Sequence, residues 1–226
     1  AEQKFRTEDQ LLNYILESII GIEEIPIKGG RIWKLEAASG TYRIVKQHGE
    51  MDHIKRNFRL RILDYPMFVQ LWRKGGSMLA TETHKYLRRR GITTYAATGV
   101  GELVHWKGHD LYPYVIAING DYLKNEMTYA LNIISNVVTS ALKSRRIEHK
   151  AQQLAEDLDK AREIQKSILP EHELRFHSYD LYGVSLPDRV VGGDFFDYLH
   201  ASDDKDRLGV VIGDAASKGL SAAAQA

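Results

Sequence analysis

Leu111–Gly120 (LYPYVIAING) runs directly into Asp121–Leu169 (DYLKNEMTYALNIISNVVTSALKSRRIEHKAQQLAEDLDKAREIQKSIL), a stretch without Gly or Pro that stops at Pro170. The first segment is apolar, β-branched and aromatic, and predicts a sheet strand ended by Asn119-Gly120. The second, taken as one helix, would run roughly 70 Å at about 1.5 Å per residue, far more than a compact domain needs. Alternating steps of three and four from Ala130 reach Ile133, Val137, Ser140, Ser144, Ile147, Ala151, Leu154, Leu158, Ala161, Gln165 and Ile168, an unbroken heptad seam. Its first half carries a second stripe, Leu131, Ile134, Val138 and Leu142, suited to packing back onto a sheet. One helix is thus expected to close a domain with one face and meet another helix with the other. Ser140, Ser144 and Gln165 stand where Leu or Ile would pair more tightly, which lowers stability and admits other registers. The seam predicts a parallel homodimer through residues 130–168 whose linker changes register or order to carry a signal. The plainer alternative is a solvated connecting helix with incidental periodicity.

Upstream, Thr7 with Gln10 forms a capping-box signature ahead of Leu11, Leu12, Ile15, Leu16, Ile19 and Ile20, an amphipathic helix closed by Gly21. Arg31–Ala37 and Thr41–Gln47 predict strands around the turn signal Ser39-Gly40. A helix is expected near Ser77–Arg90, closed by Gly91, followed by a loop-rich stretch holding Gly99, Gly101 and Gly108. His105 and His109 have the spacing that puts two imidazoles on one helical face, but Gly108 argues against a helix, and two surface histidines are expected instead. Trp33, Trp72 and Trp106 are expected as core or pocket wall. The order helix, hairpin, helix, strand, closing helix resembles a GAF domain, an antiparallel sheet flanked by helices. That resemblance implies a sensory module with a possible small-molecule ligand of unknown identity. No cysteine is present to attach a bilin, and no asparagine-lysine-phenylalanine run of cyclic-nucleotide-binding members occurs.

The 226 residues allow about one and a half ordinary domains at roughly 150 residues each. With 31 Lys and Arg against 30 Asp and Glu, the chain lacks the basic excess of a dedicated nucleic-acid binder. Zero cysteines exclude disulfides, thiolate zinc sites, iron–sulfur clusters and cysteine nucleophiles. No stretch approaches the roughly 18 apolar residues of a membrane span, and Ala1–Gln10 has no apolar signal region. The expectation is a soluble, cytoplasmic protein without nucleic-acid or membrane partners.

Chemistry-bearing residues begin where the long helix meets Pro170. A strand is expected at Tyr179–Ser185, then Val190-Val191-Gly192-Gly193-Asp194-Phe195-Phe196-Asp197, and a strand at Leu208–Ile212 leading into Gly213-Asp214-Ala215-Ala216-Ser217-Lys218-Gly219-Leu220-Ser221-Ala222-Ala223. Two carboxylate-bearing strand ends at this spacing can be brought together by a hairpin. Paired carboxylates suit hard divalent cations, which in turn can generate hydroxide and neutralise a phosphoryl group.

These two segments, together with Ala161-Arg162-Glu163-Ile164-Gln165-Lys166-Ser167-Ile168-Leu169-Pro170, resemble the SpoIIE-type branch of the PPM metal-dependent protein phosphatases, over about the last quarter of the chain. The resemblance implies a two-metal centre of Mn²⁺ or Mg²⁺, with Asp214 bridging the ions, the Ala215 carbonyl as a further ligand and Asp194 bound directly or through water. Asp197 is a more distant candidate. Gly192 and Gly193 grant backbone freedom at the site, and Gly219 leads into the following helix. Ser217 replaces a common glycine and Phe196 a common tyrosine. The implied substrate is a phosphorylated protein, typically an anti-sigma-factor antagonist; Arg189 is a candidate phosphate contact, with a surface ion pair as its ordinary role. The family draws further aspartates from downstream strands, whereas this sequence stops at Ala226, so the chain is expected to carry only the front of the phosphatase domain and to have little or no activity alone.

The fold class expected is α+β: a GAF-like antiparallel sheet flanked by helices (1–124), a coiled-coil linker helix (125–169) and an incomplete PPM-type α/β sandwich (170–226). Gly192-Gly193-Asp194-Phe195-Phe196 also looks like a diguanylate cyclase signature, but Phe195 replaces the glutamate, and only about 25 residues separate it from Pro170. The more serious alternative is a non-catalytic dimeric GAF signalling module.

Overall fold

The computed structural model describes residues 5, 7–23, 26–50, 52–186, 192–200, 202 and 204–214. The chain forms two compact units that meet in sequence between Arg146 and Ile147.

In the first unit, α1 (Glu8–Ile20) begins at the expected capping box: Gln10 N donates to Thr7 Oγ1, and Thr7 N donates to Gln10 Oε1, both at 3.2 Å. It buries Leu12, Leu16 and Ile19. Then follow β1 (Ile27–Glu36), β2 (Thr41–Gly49), β3 (Arg59–Arg61), α2 (Met67–Arg73), β4 (Ser77–Thr81), α3 (Lys85–Arg89), β5 (Thr94–Val100), β6 (Val104–Trp106), β7 (His109–Leu111), β8 (Tyr114–Gly120) and the start of α4 (Glu126–Ile168). Six strands form one antiparallel sheet in the order β3-β2-β1-β8-β5-β4. Gly40, at φ +64°, makes the left-handed turn between β1 and β2 that L side chains avoid. Every residue of β8 is buried, as a central strand covered on both faces requires. One face carries Trp33, Tyr42, Phe68, Leu71 and Leu87; the other packs Ile32, Ile116 and Ile118 against Leu12 and Leu16 of α1 and Leu131, Val138 and Leu142 of α4. The expected sheet flanked by helices is present.

Three local expectations are corrected. Ser77–Thr81 is a strand rather than the start of a helix: Met78, Leu79 and Ala80 favour helix intrinsically, but their ladder with β5 overrides that weak preference. The short α3 alone is helical there, and Gly91 at φ +80° ends it. The stretch around Gly99 is not loop but β5, inserted between β4 and β8. The Leu111–Ile118 run is interrupted at Tyr112-Pro113, where proline has no N–H to give a ladder, while Asn119 and Gly120 stay inside β8.

The two stripes of α4 have different environments. Leu131, Ser135, Val138 and Leu142 are buried, and Ile134 packs at the edge of the same cluster. Ser135 Oγ donates to the Gly99 carbonyl, and Gly101 N donates to Thr139 Oγ1 at 2.9 Å. On the seam, Ile133 is 66% exposed and Val137 65% exposed.

Glu8 ties α1 to α4. Arg146 Nε donates to its Oε1 at 2.6 Å, and Tyr114 OH donates to Oε2 at 2.8 Å. The Arg146 hydrogen bond, helped by the Tyr114 hydroxyl and opposed by burial, holds the Glu8 carboxyl below its ordinary range. Because the folded pKa is depressed, this stabilisation is present above the unfolded value and is lost as pH falls through the folded one. Glu8→Gln is expected to cost about 1 kcal/mol near pH 7, limited by solvent screening at the partly exposed Arg146, and nothing at the acid end. Urea melts of both proteins across pH check this.

The second unit contains the rest of α4, then β9 (Glu173–Phe176), β10 (Tyr179–Tyr182), β11 (Asp194–His200) and β12 (Leu208–Asp214). β9 pairs with β10, and β11 with β12, both antiparallel. The strand expected at Tyr179–Ser185 stops at Tyr182, whereas that expected at Leu208–Ile212 continues to Asp214.

Candidate functional site

β11 opens with Asp194 and β12 closes with Asp214, and the ladder register sets these two residues directly opposite each other. Facing residues of an antiparallel pair have Cβ atoms about 4.5–5.5 Å apart, and like charges so placed repel. Both carboxylates are exposed and supply only hard oxygen donors, which fits a divalent cation such as Mn²⁺ or Mg²⁺ between them. Two carboxylates alone make a sparse ligand set; among the described residues no group of three His, Cys, Asp or Glu side chains is placed to hold a metal ion.

Alternation along the strands separates the surroundings of this pair. Asp194, Phe196 and Tyr198 on β11, with Val210, Ile212 and Asp214 on β12, line an open concavity of about 700 Å³. Asp197, Leu199 and Val211 instead line a cavity of about 250 Å³ with Gln165, Ile168 and Leu169 at the end of α4, and Phe195 and Phe196 border both spaces. Asp197 is therefore on the face away from the paired carboxylates, and its Oδ1 accepts from Tyr198 N at 2.8 Å.

Backbone contacts fix the approach to Asp194. Ser185 Oγ donates to the Asp194 carbonyl at 3.0 Å. Gln165 Nε2 donates to the Gly192 carbonyl at 2.6 Å, and Gly192 N donates to Gln165 Oε1 at 3.2 Å. Gln165 thus turns its carboxamide toward its own chain, away from the seam role its heptad position suggests. Gly213 has a steric reason to be glycine, since a Cβ there would fall 2.3 Å from Phe195 Cζ. Of the other expected site residues, Gly193 is half-buried beside Asp194, while Arg189, Ala215, Ser217 and Gly219 lie outside the described residues.

The first unit holds a polar cluster that the sequence reading missed. Arg31 and Glu82 are each 2% exposed. Arg31 Nη2 reaches Asn119 Oδ1 at 3.5 Å, and its Nη1 has no hydrogen-bond partner. Glu82 accepts from Tyr65 OH at 2.7 Å and from His84 N at 2.8 Å. Burial lowers the Arg31 pKa to about 10 against the opposing pull of Tyr65 and Glu82, and burial drives the Tyr65 hydroxyl far above its ordinary value. Arg31 sits in an otherwise ordinary strand pattern, and no local signal in the sequence brings it near Glu82. His105 and His109 lie on opposite strands of the β6–β7 hairpin, where His105 faces Asp110 at 3.0 Å and Trp106 faces His109. Trp33 is core, whereas Trp72 is 45% exposed. No helix among the described residues is long and apolar enough to cross a membrane.

No protein-family model matches the sequence, and no curated protein matches it. Solved structures similar to the chain include a far-red cyanobacteriochrome photoreceptor, at 11% identity and TM-score 0.48 over 61% of this chain and 87% of that one. They also include the GAF domain of a phosphoenolpyruvate-protein phosphotransferase from Coxiella burnetii, at 10% identity and TM-score 0.47 over 65% and 88%. A GAF domain/HD domain protein from Geobacter sulfurreducens matches at 9% identity and TM-score 0.46 over 64% and 97%.

Proposed function

We propose that the chain belongs to a signalling protein in which a GAF-like sensory domain (1–124) is joined by a dimerising helix (125–169) to the front part of a PPM-type metal-dependent protein serine/threonine phosphatase (170–226). The observation that carries the enzymatic reading is the register that sets Asp194 opposite Asp214, the two carboxylates of the motifs that resemble this family. A like-charged pair at that separation is unfavourable without a cation, so metal binding gives the arrangement a physical reason. Bound Mn²⁺ or Mg²⁺ would supply a deprotonated water at neutral pH and neutralise charge on a phosphoryl group. The chain's own part is to hold two oxygen donors at the rim of an open concavity, with Ala215 as the further ligand that the family resemblance implies. The substrate proposed on the same resemblance is a phosphoserine or phosphothreonine protein of the anti-sigma-factor antagonist kind. The exposed seam residues Ile133, Val137, Ile147 and Leu154 support a parallel homodimer.

Calorimetric titration with Mn²⁺ tests the enzymatic reading. Weak binding that disappears in both Asp194→Asn and Asp214→Asn is expected, with phosphoserine-protein turnover near background because two carboxylates do not complete a two-metal centre. Mn²⁺ binding that neither substitution changes would defeat it. The second reading, a non-catalytic dimeric sensory module, draws on the sparse ligand set and the exposed seam. It predicts dimers by light scattering and no Mn²⁺ affinity at this pair.

A further inference from the structure

Gln165 uses both ends of its carboxamide on a single residue. Its Nε2 donates to the Gly192 carbonyl at 2.6 Å, and its Oε1 accepts from Gly192 N at 3.2 Å. Glutamate lacks the donor for the first bond, asparagine is one methylene shorter, and leucine makes neither. Gly192 precedes Asp194 by two residues, and the Asp194 carbonyl is held from the other direction by Ser185 Oγ at 3.0 Å. The backbone entering β11 is therefore pinned on both sides of the position where the carboxylate must face Asp214. On the same side as Gln165, Ile168 and Leu169 share the walls of the 250 Å³ cavity with Phe195 and Val211, so the end of α4 and this strand pair border one mostly apolar space.

We propose that Gln165 is a positioning residue: its carboxamide clamps the Gly192 peptide and thereby keeps the Asp194 carboxylate opposite Asp214. Its consequence for metal binding rests on the proposed phosphatase reading, whereas the clamp itself does not. A glycine at 192 has the widest choice of backbone conformations, so an external clamp has most to restrict there. A side chain that supplies both a donor and an acceptor removes that freedom without covering the carboxylates.

Two measurements on the whole chain test this with Gln165→Leu and Gln165→Glu. The first is amide hydrogen exchange at Gly192. Loss of the clamp in Gln165→Leu is expected to speed exchange about tenfold, with β1 and β8 amides unchanged. Gln165→Glu, which keeps the acceptor, is expected to retain part of the protection. Unchanged Gly192 exchange in Gln165→Leu overturns the clamp. The second is Mn²⁺ affinity, expected to fall about tenfold in Gln165→Leu, as for loss of a group that orients a ligand. Wild-type Mn²⁺ binding that Gln165→Leu leaves intact, while Asp214→Asn abolishes it, overturns the positioning role and spares the phosphatase reading. Absence of Mn²⁺ binding in the wild type overturns that reading and, with it, the metal consequence, while Gly192 exchange still decides the clamp.

Discussion

Leu131→Ala is expected to lower the unfolding free energy of the N-terminal unit by about 3 kcal/mol, whereas Ile133→Ala is expected to change it by less than about 0.5 kcal/mol. The two positions are neighbours on α4 with opposite surroundings. Leu131 is fully buried against the side of the sheet that also takes Leu12, Leu16, Ile116 and Ile118, so truncation removes apolar contacts and leaves a cavity. Ile133 is 66% exposed and has little folded-state contact to lose. Its loss should appear in self-association, where truncating a seam residue weakens the dimer. Urea midpoints and sedimentation equilibrium on the same two variants separate these effects. Equal destabilisation by both, or an unaltered dimer in Ile133→Ala, would contradict the assignment of one stripe to the fold and the other to assembly.

Asp214→Asn is expected to change sign with metal. Without Mn²⁺ the substitution removes a repulsion with the facing Asp194, a gain of about 0.2–1 kcal/mol for a cross-strand pair. With Mn²⁺ at about 100 times its dissociation constant, the wild type gains about 2.7 kcal/mol from binding. The variant, lacking one carboxylate of the pair, gains little. Thermal melts with and without Mn²⁺ therefore cross: the variant melts higher in chelator and lower in metal. A variant less stable than wild type under both conditions would show that Asp214 serves the strand pair alone.

Local chemistry was the part of this fold legible in the sequence. Thr7 and Gln10 announce the start of α1 because both capping partners lie within one turn. The stripe of Leu131, Ile134, Val138 and Leu142 announces which face of α4 meets the sheet because burial follows the helical period. The Asp194 and Asp214 pairing was approachable for a similar reason, since one hairpin joins them. Misreadings arose where distant partners decide the outcome. Ser77–Thr81 has a helical composition but is held by β5, and Gly99 belongs to that same strand rather than to a loop. Arg31, Asn119, Glu82 and Tyr65 meet only once the sheet has assembled, and no spacing along the chain foretells them. Gln165 marks the limit of periodicity as a guide: it occupies a seam position, yet its hydrogen bonds go to Gly192.

The most direct test of the proposed chemistry is to add substoichiometric Mn²⁺ to isotope-labelled chain and follow which backbone amides its unpaired electrons broaden. If Asp194 and Asp214 hold the ion, the signals of Gly193, Phe195 and Gly213 broaden first, and those of β1 and β8 stay sharp. Broadening centred on His105 and Asp110 in the β6–β7 hairpin, or no localised broadening, would contradict a metal site at the paired aspartates.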